Sequence, residues 1–330
     1  MRPVQSTNPG EQPIFIIGVG RSGTTLLQAM LHAHKLIAFT PETHFVRRYL
    51  ARRRMHRLLD RGHTDRFLEL VGKDGDLNRM GLDFSPIIAQ LEDRSALSLI
   101  SFYKTLLEKW RKEKDAAVVG DKDPKNIEYL QYIHDYFPAA RIIHIIRDPR
   151  AVVLSRMKAE WSRNRGFLSH VAIYNLQLQK GRRDGRDLFG RNYYEIIYED
   201  LVTNPELQCE QLCQWLNIPF DPGMLNFQHS SHEIIKGREI NWKRDCFKPV
   251  QPANKDKWTN SLSRRQICVI ETLNSVWFTQ FGYRKSGYLK DKSLLAAVAH
   301  SILKVGMWKL TIGYRFAHWL NYQLNRQGKK

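Results

Sequence analysis

The residues best suited to chemistry stand near the start of the chain. Gly18-Val-Gly-Arg-Ser-Gly-Thr-Thr25 follows an apolar run, Ile14 to Ile17. Spaced glycines let the backbone turn tightly and expose consecutive N–H groups. A helix beginning near Thr24 adds its positive end, so the turn predicts a site for a phosphorylated ligand. Two patterns fit. One is Gly-x-x-x-x-Gly followed by Thr-Thr, a phosphate loop with Thr24 where a nucleotide kinase carries lysine. The other is Gly-x-Gly-x-x-Gly with an acid, Glu42, about 20 residues on, the dinucleotide fingerprint. A tight strand–helix turn without a ligand is the third reading. A nucleoside triphosphate also needs a strand-end acid for magnesium, and Asp121 in Gly-Asp-Lys-Asp-Pro is the best placed. A dehydrogenase has no need of Arg21 inside its turn.

Arg147-Asp-Pro-Arg-Ala-Val-Val-Leu-Ser155 ends another apolar run, Arg141-Ile-Ile-His-Ile-Ile146. An arginine closing such a run is placed to meet an anion. Further runs, Leu36–Phe39, Ala116–Gly120 and Tyr193–Tyr198, read as strands. Helical stretches separate them at Thr24 to His34, an arginine-rich 47–66, 84–114 starting at Ser85-Pro86, Asn126 to Phe137 and around 150–180. Residues 205–216 and 263–280 also read as helices. Strands alternating with helices predict an α/β, phosphate-loop-like three-layer domain with a central parallel sheet of about five strands. Ligands in such sheets bind at the carboxyl ends of the strands.

The chain has 330 residues, enough for a large core, and 52 basic against 33 acidic residues give +19. That excess predicts an anionic partner: nucleotide, nucleic acid, acidic glycan or membrane surface. Cys209, Cys213, Cys246 and Cys268 show no Cys-x-x-Cys pair, which predicts buried thiols in a reducing compartment. No leader pattern opens the chain, and no uncharged run reaches the roughly 18 residues of a membrane span. A cytoplasmic protein is expected.

Arg21-Ser-Gly-Thr-Thr25 resembles the 5′-phosphosulfate loop of sulfotransferases that use 3′-phosphoadenosine 5′-phosphosulfate (PAPS). Arg147 with Ser155 resembles that family's 3′-phosphate motif, and Lys255-Asp-Lys-Trp-Thr-Asn260 is similar to its C-terminal segment over the nucleotide. Within the family the likeness is to the tyrosylprotein sulfotransferase branch and its bacterial relatives. It is carried by Glu42-Thr43, Asp121-Lys-Asp-Pro124, Tyr198-Glu-Asp-Leu201 and Lys248-Pro-Val250. That branch has a serine shortly before Lys-Pro-Val, whereas here none occurs between Ser231 and Ser261.

The resemblance implies sulfuryl transfer from PAPS to a hydroxyl acceptor, with Glu42 as general base and His44 in reserve. By analogy with phosphoryl transfer, the work is positioning and charge stabilisation. Arg21 and Lys122 fit the developing charge. Ser22, Gly23, Thr24 and Thr25 would bind the 5′ end of the donor, and Arg147 and Ser155 the 3′-phosphate. Tyr198, Lys255, Lys257 and Trp258 are candidates for the nucleoside side. No metal is required, and no ligand cluster for one is seen.

Two units are expected: a catalytic domain over residues 1–285 and a basic amphipathic helical extension over 286–330. Residues 284–330 hold ten Lys/Arg against one Asp, with Leu294, Val298, Ile302, Ile312 and Phe316 near helical spacing and Trp308, Tyr314, Trp319 and Tyr322 interleaved. The extension either lies on an anionic membrane surface or packs on the domain with its basic face solvated. A membrane-peripheral position would favour a lipid-linked acceptor. Glycans and small alcohols also suit the site, tyrosine less so, and nucleic acid is not expected. The rival functions are a phosphate-loop kinase, a non-enzymatic polyanion binder and an oxidoreductase.

Overall fold

Ile14, Phe15, Ile16 and Ile17 are each at most 1% exposed, because strand alternation sends them to two separate cores. Each such side chain contributes about 2 kcal/mol of burial. The computed structural model describes residues 12–84, 87, 98–241, 243–288 and 294–325. Its sheet is built from β1 (Ile14–Ile17), β2 (Ile37–Phe39), β3 (Val118–Lys122), β4 (Arg141–Ile146) and β5 (Tyr193–Ile197). The order is β2-β3-β1-β4-β5, and every pairing is parallel.

The described α-helices longer than four residues are α1 (Thr24–His32), α2 (Arg53–Asp60), α3 (Thr64–Gly72), α4 (Leu99–Glu113), α5 (Leu130–Tyr136), α6 (Pro149–Lys158), α7 (Phe167–Phe189), α8 (Tyr198–Thr203), α9 (Pro205–Leu216), α10 (Arg264–Leu273), α11 (Ser275–Gln280) and α12 (Leu294–Asn325). Phe15 and Ile17 face a core with α4, α5 and α7. Ile14 and Ile16 face another with α1, α8 and α9. This is the three-layer α/β arrangement expected. A third cluster joins α6, α7 and α10 beneath Trp258.

Several elements differ from expectation. The third strand starts at Val118 and runs through Lys122, so Asp121 and Lys122 are strand residues. The helix expected from Asn126 is a 3₁₀ turn, Pro124–Glu128, followed by α5. The arginine-rich stretch breaks into a π-helical turn, Val46–Leu50, then α2 and α3, because Arg52 is extended and Gly62 is left-handed. Tyr198 opens a helix rather than closing β5. The stretch 263–280 is two helices, α10 and α11. The helix start expected at Ser85-Pro86 lies outside the described residues.

One local device recurs at the sheet's carboxyl edge. β3 ends in Lys122 and Arg147 directly follows β4, and each basic residue precedes Asp-Pro. Asp123 accepts the Lys125 N–H at 2.9 Å and Asp148 the Arg150 N–H at 2.8 Å, with proline in the first helical turn. Aspartate caps the new helix and proline is pre-set for its first position, so both chains turn sharply there. Both basic side chains are left at the mouth of the sheet.

Candidate active site

The loop after β1 is held in a shape few residues adopt. Arg21 has φ +83° and Gly23 φ +98°, both left-handed, and Ser22 N–H closes the turn on Val19 O at 3.0 Å. A Cβ on Gly23 would lie 2.4 Å from the Tyr198 ring, so only glycine fits. The result is a run of backbone N–H groups at the start of α1, suited to an anion. Ser22 is buried and its Oγ has no hydrogen-bond partner among the described residues, an orphaned polar atom that fits an anionic ligand.

The second anion cradle abuts the first. Arg21 Nε donates to Ser155 Oγ at 3.1 Å, and Arg147 Nη1 donates to the Arg21 carbonyl at 3.3 Å. The Arg147 guanidinium lies 4.0 Å over the Tyr198 ring. All of these residues line one cavity of about 610 Å³, within the size range of small-molecule sites. Thr24, Thr25, Glu42, Lys257 and Trp258 line it too. The Arg150 guanidinium lies 3.8 Å over the Trp258 ring and is itself paired with Asp148 and Glu271. Lys255 is a correction: it does not line the cavity, and its Nζ donates to Thr203 Oγ1 at 3.2 Å. It belongs to a 3₁₀ turn packed against α8, which points it away.

On the β2–β3 side, Glu42 sits between two lysines. It pairs with the buried Lys122, whose Nζ also donates to Thr25 Oγ1 at 3.2 Å, and with Lys243 at 2.9 Å. Burial alone would raise the Glu42 pKa, but Lys122, Lys243 and His44 more than offset it and hold the carboxyl well below its usual range. His44 Nδ1 pairs with Asp123 at 2.8 Å and its Nε2 stands 3.8 Å from Glu42. Lys243 pairs with Glu239 at 2.7 Å, and Arg79 with Glu239 at 3.0 Å.

Lys243 and Glu239 were missed by sequence reasoning. The available signal was the departure before Lys248-Pro-Val, where Lys243 occupies the segment in which the tyrosylprotein branch carries a serine. Of the eight arginines between 47 and 66, only Arg47 lines the cavity, paired with Asp123 at 2.8 Å.

Asp121, the candidate magnesium acid of the kinase reading, is fully buried. It accepts from Thr40 at 3.1 Å, Thr43 at 3.3 Å and Tyr103 at 3.0 Å. Burial and the neighbouring Asp123 push its pKa up to about 6. Its oxygens serve the core, not the cavity.

Fold and site together define a phosphate-loop-type α/β transferase with two adjoining anion cradles at the carboxyl edge of a parallel sheet. A family model described as the sulfotransferase family matches residues 13–222, and the chain belongs to that family. The resemblance carried by the two arginine motifs is thereby met. The chain is 26% identical over 309 residues to protein-tyrosine sulfotransferase A of Caenorhabditis elegans, covering 89% of this chain and 74% of that one. It is 29% identical over 275 residues to protein-tyrosine sulfotransferase 1 of Danio rerio, covering 78% and 69%. Its fold is similar to the sulfotransferase domain of the curacin biosynthetic pathway, with TM-score 0.61 at 20% identity, covering 83% and 98%.

Proposed function

We propose that the chain moves a sulfuryl group from PAPS to an acceptor hydroxyl. The observation that carries this is the bond between Arg21 and Ser155, which joins the 5′ and 3′ anion cradles in one cavity. The loop amides with Thr24 and Thr25 hold the 5′ end, and Arg147 and Ser155 hold the 3′-phosphate. Tyr198 and Trp258 wall the nucleoside side. Glu42 takes the acceptor's proton as its oxygen bonds to sulfur, and the bond from sulfur to the 5′-phosphate oxygen breaks. Lys122, within reach of Thr25 Oγ1, stabilises charge on that leaving oxygen, and its departure from Glu42 strengthens the base as transfer proceeds.

The test is incubation with sulfur-labelled donor and extracts fractionated into lipid, glycan and protein. Label in a fraction only with active enzyme is the expected result; no transfer to any fraction, with no affinity for adenosine 3′,5′-bisphosphate (PAP), would sink the reading. A tyrosyl acceptor is the second reading, favoured by the names of the relatives.

We also propose that the catalytic unit spans 1–285 and that the extension, 286–330, seats it on an anionic, cytoplasm-facing bilayer. One face of α12 packs on the domain: Tyr314 donates to Glu128 at 2.6 Å and Tyr322 to Asp135 at 2.7 Å. The opposite face exposes Val305, Trp308, Ile312, Phe316 and Trp319, flanked by Lys309 and Arg315. No acidic residue occurs from Leu294 to Asn325, which complements an anionic lipid surface. No described helix is long and apolar enough to cross a membrane. Co-sedimentation with phosphatidylglycerol vesicles but not pure phosphatidylcholine is expected, and its loss in a Trp308, Phe316 and Trp319 to Ala variant. Absence of binding to both vesicles would reject it.

A further inference from the structure

Two buried polar side chains in the cavity are not used by the chemistry above. Arg156, one residue past Ser155, is 4% exposed, has no ion-pair partner among the described residues, and its Nε lacks any hydrogen bond. Gln177 on α7 is 3% exposed; its amide nitrogen donates to Glu128 at 2.8 Å, and its Oε1 is unpartnered among the described residues. A buried donor or acceptor left unmade costs about 1–3 kcal/mol, more for a charged group. Both therefore ask for a ligand.

Trp161 stands over Arg156. Its indole, 54% exposed, is 5.2 Å from the Arg156 guanidinium carbon. A Cβ on Gly20 would lie 3.3 Å from Arg156 Nη1 and 3.6 Å from the Trp161 ring. The pair thus rests where the phosphate loop has no side chain. Lys158, exposed at the same rim, adds a cation. Burial, then Arg165, lowers the Arg156 pKa to about 10, so it stays cationic at neutral pH.

Arg156 lies on α6, after β4, so its neighbours rather than the sheet order assign the side. Arg147 and Tyr198 follow β4 and β5, on the nucleotide side, whereas Glu42 and Lys122 belong to β2 and β3. Arg156 feels the charge of Glu128, which follows β3, and Gln177 is bonded to it. Gln177 and Arg156 thus lie toward the turn after β3, the strand whose Lys122 pairs with Glu42, and Trp161 lies with Arg156.

We propose that Arg156, Gln177 and Trp161 form an acceptor subsite for a saccharide that carries an anionic group. The guanidinium meets its carboxylate, sulfate or phosphate, the Gln177 oxygen accepts from a ring hydroxyl, and the indole covers an apolar ring face. The proposal rests on the sulfuryl-transfer reading and names the acceptor class for it. An uncharged acceptor would leave Arg156 buried and unpaired.

The experiment is calorimetric titration of the full chain, saturated with PAP, with 4-nitrophenyl β-D-glucuronide, its 6-phosphoglucoside counterpart and the neutral glucoside. At least one anionic glycoside is expected to bind tenfold or more tighter than the neutral one, and which one identifies the anion. Arg156→Gln should erase that difference while PAP affinity stays within threefold. Trp161→Ala, a change at an exposed position, should weaken all the glycosides. Equal binding of charged and neutral glycosides would overturn the subsite, as would a Trp161→Ala chain that binds them unchanged. So would loss of PAP affinity in Arg156→Gln, which would place Arg156 on the donor. Failure of the unaltered chain to bind PAP would instead reject the donor reading.

Discussion

Arg21 and Ser155, 134 residues apart in the chain, share a hydrogen bond of 3.1 Å. The bond ties the loop after β1 to the helix after β4, so one ligand spanning both is held by two elements at once. Ser155→Ala removes a donor to the 3′-phosphate and the bond to Arg21. A PAP affinity about 10-fold weaker is expected by calorimetry, and about 100-fold weaker for Arg147→Ala, since hydrogen bonds to charged groups are worth roughly 1.5–3 kcal/mol. An unchanged affinity in both variants would remove them from the donor site.

Gly23→Ala tests the loop itself. The left-handed φ of +98° and the Tyr198 ring 2.4 Å from the new Cβ both oppose any side chain. Together they should cost roughly 2–4 kcal/mol of stability, from strain and overpacking. PAP binding should be lost with it. Thermal denaturation and titration measure the two effects.

Glu42→Gln should abolish most transfer, by about 10²- to 10⁴-fold in kcat, as expected for loss of a general base. It also leaves the buried Lys122 without its carboxylate, a change that costs about 3–5 kcal/mol when such a pair is broken. A retained melting transition that PAP still raises separates lost chemistry from lost folding. Undiminished turnover would take Glu42 out of the mechanism.

The two lysines set where Glu42 titrates. Its folded pKa is depressed, so the pairing is intact above the unfolded value of 4.5 and is lost only as pH falls through the lower folded one. The rate should therefore stay flat on the acid side down to at least that pH. Lys243→Met removes one cation and raises the Glu42 pKa, so the acid limb of the kcat profile should move to higher pH. A limb that does not move would show that Lys243 has no hold on the base.

His144 on β4 adds acid sensitivity of the same sign, in a window that begins at higher pH. Burial pushes its pKa down to about 3, and its Nδ1 meets the Tyr193 hydroxyl at 2.6 Å. The unfolded chain binds a proton there near pH 6.5 and the folded chain does not, so stability rises with pH between those values. His32, pushed by burial to about 4, adds to it. The melting temperature should fall from pH 7 to pH 4, and less steeply in His144→Gln.

What local sequence determined is local backbone. The apolar runs at 14–17 and 141–146, the glycine turn and the arginine that closes the second run are patterns a few residues long, and each sits where its residues predict. The third strand slid two residues because Asp121 and Lys122, polar in sequence, are buried by partners remote in the chain. Tertiary structure decided the rest. Glu42 and Lys243 lie 201 residues apart and meet only because the segment before Lys248 folds back against α1. Lys255 and Lys257 are near neighbours in one motif, yet one faces Thr203 and the other the cavity. Arg156 reads in sequence as one more base on a helix. It becomes an unpaired buried charge only when the order β2-β3-β1-β4-β5 sets it beside the phosphate loop. The physical reason is common to all three: backbone propensity acts over neighbouring residues, whereas desolvation and charge pairing depend on which distant elements the sheet brings together.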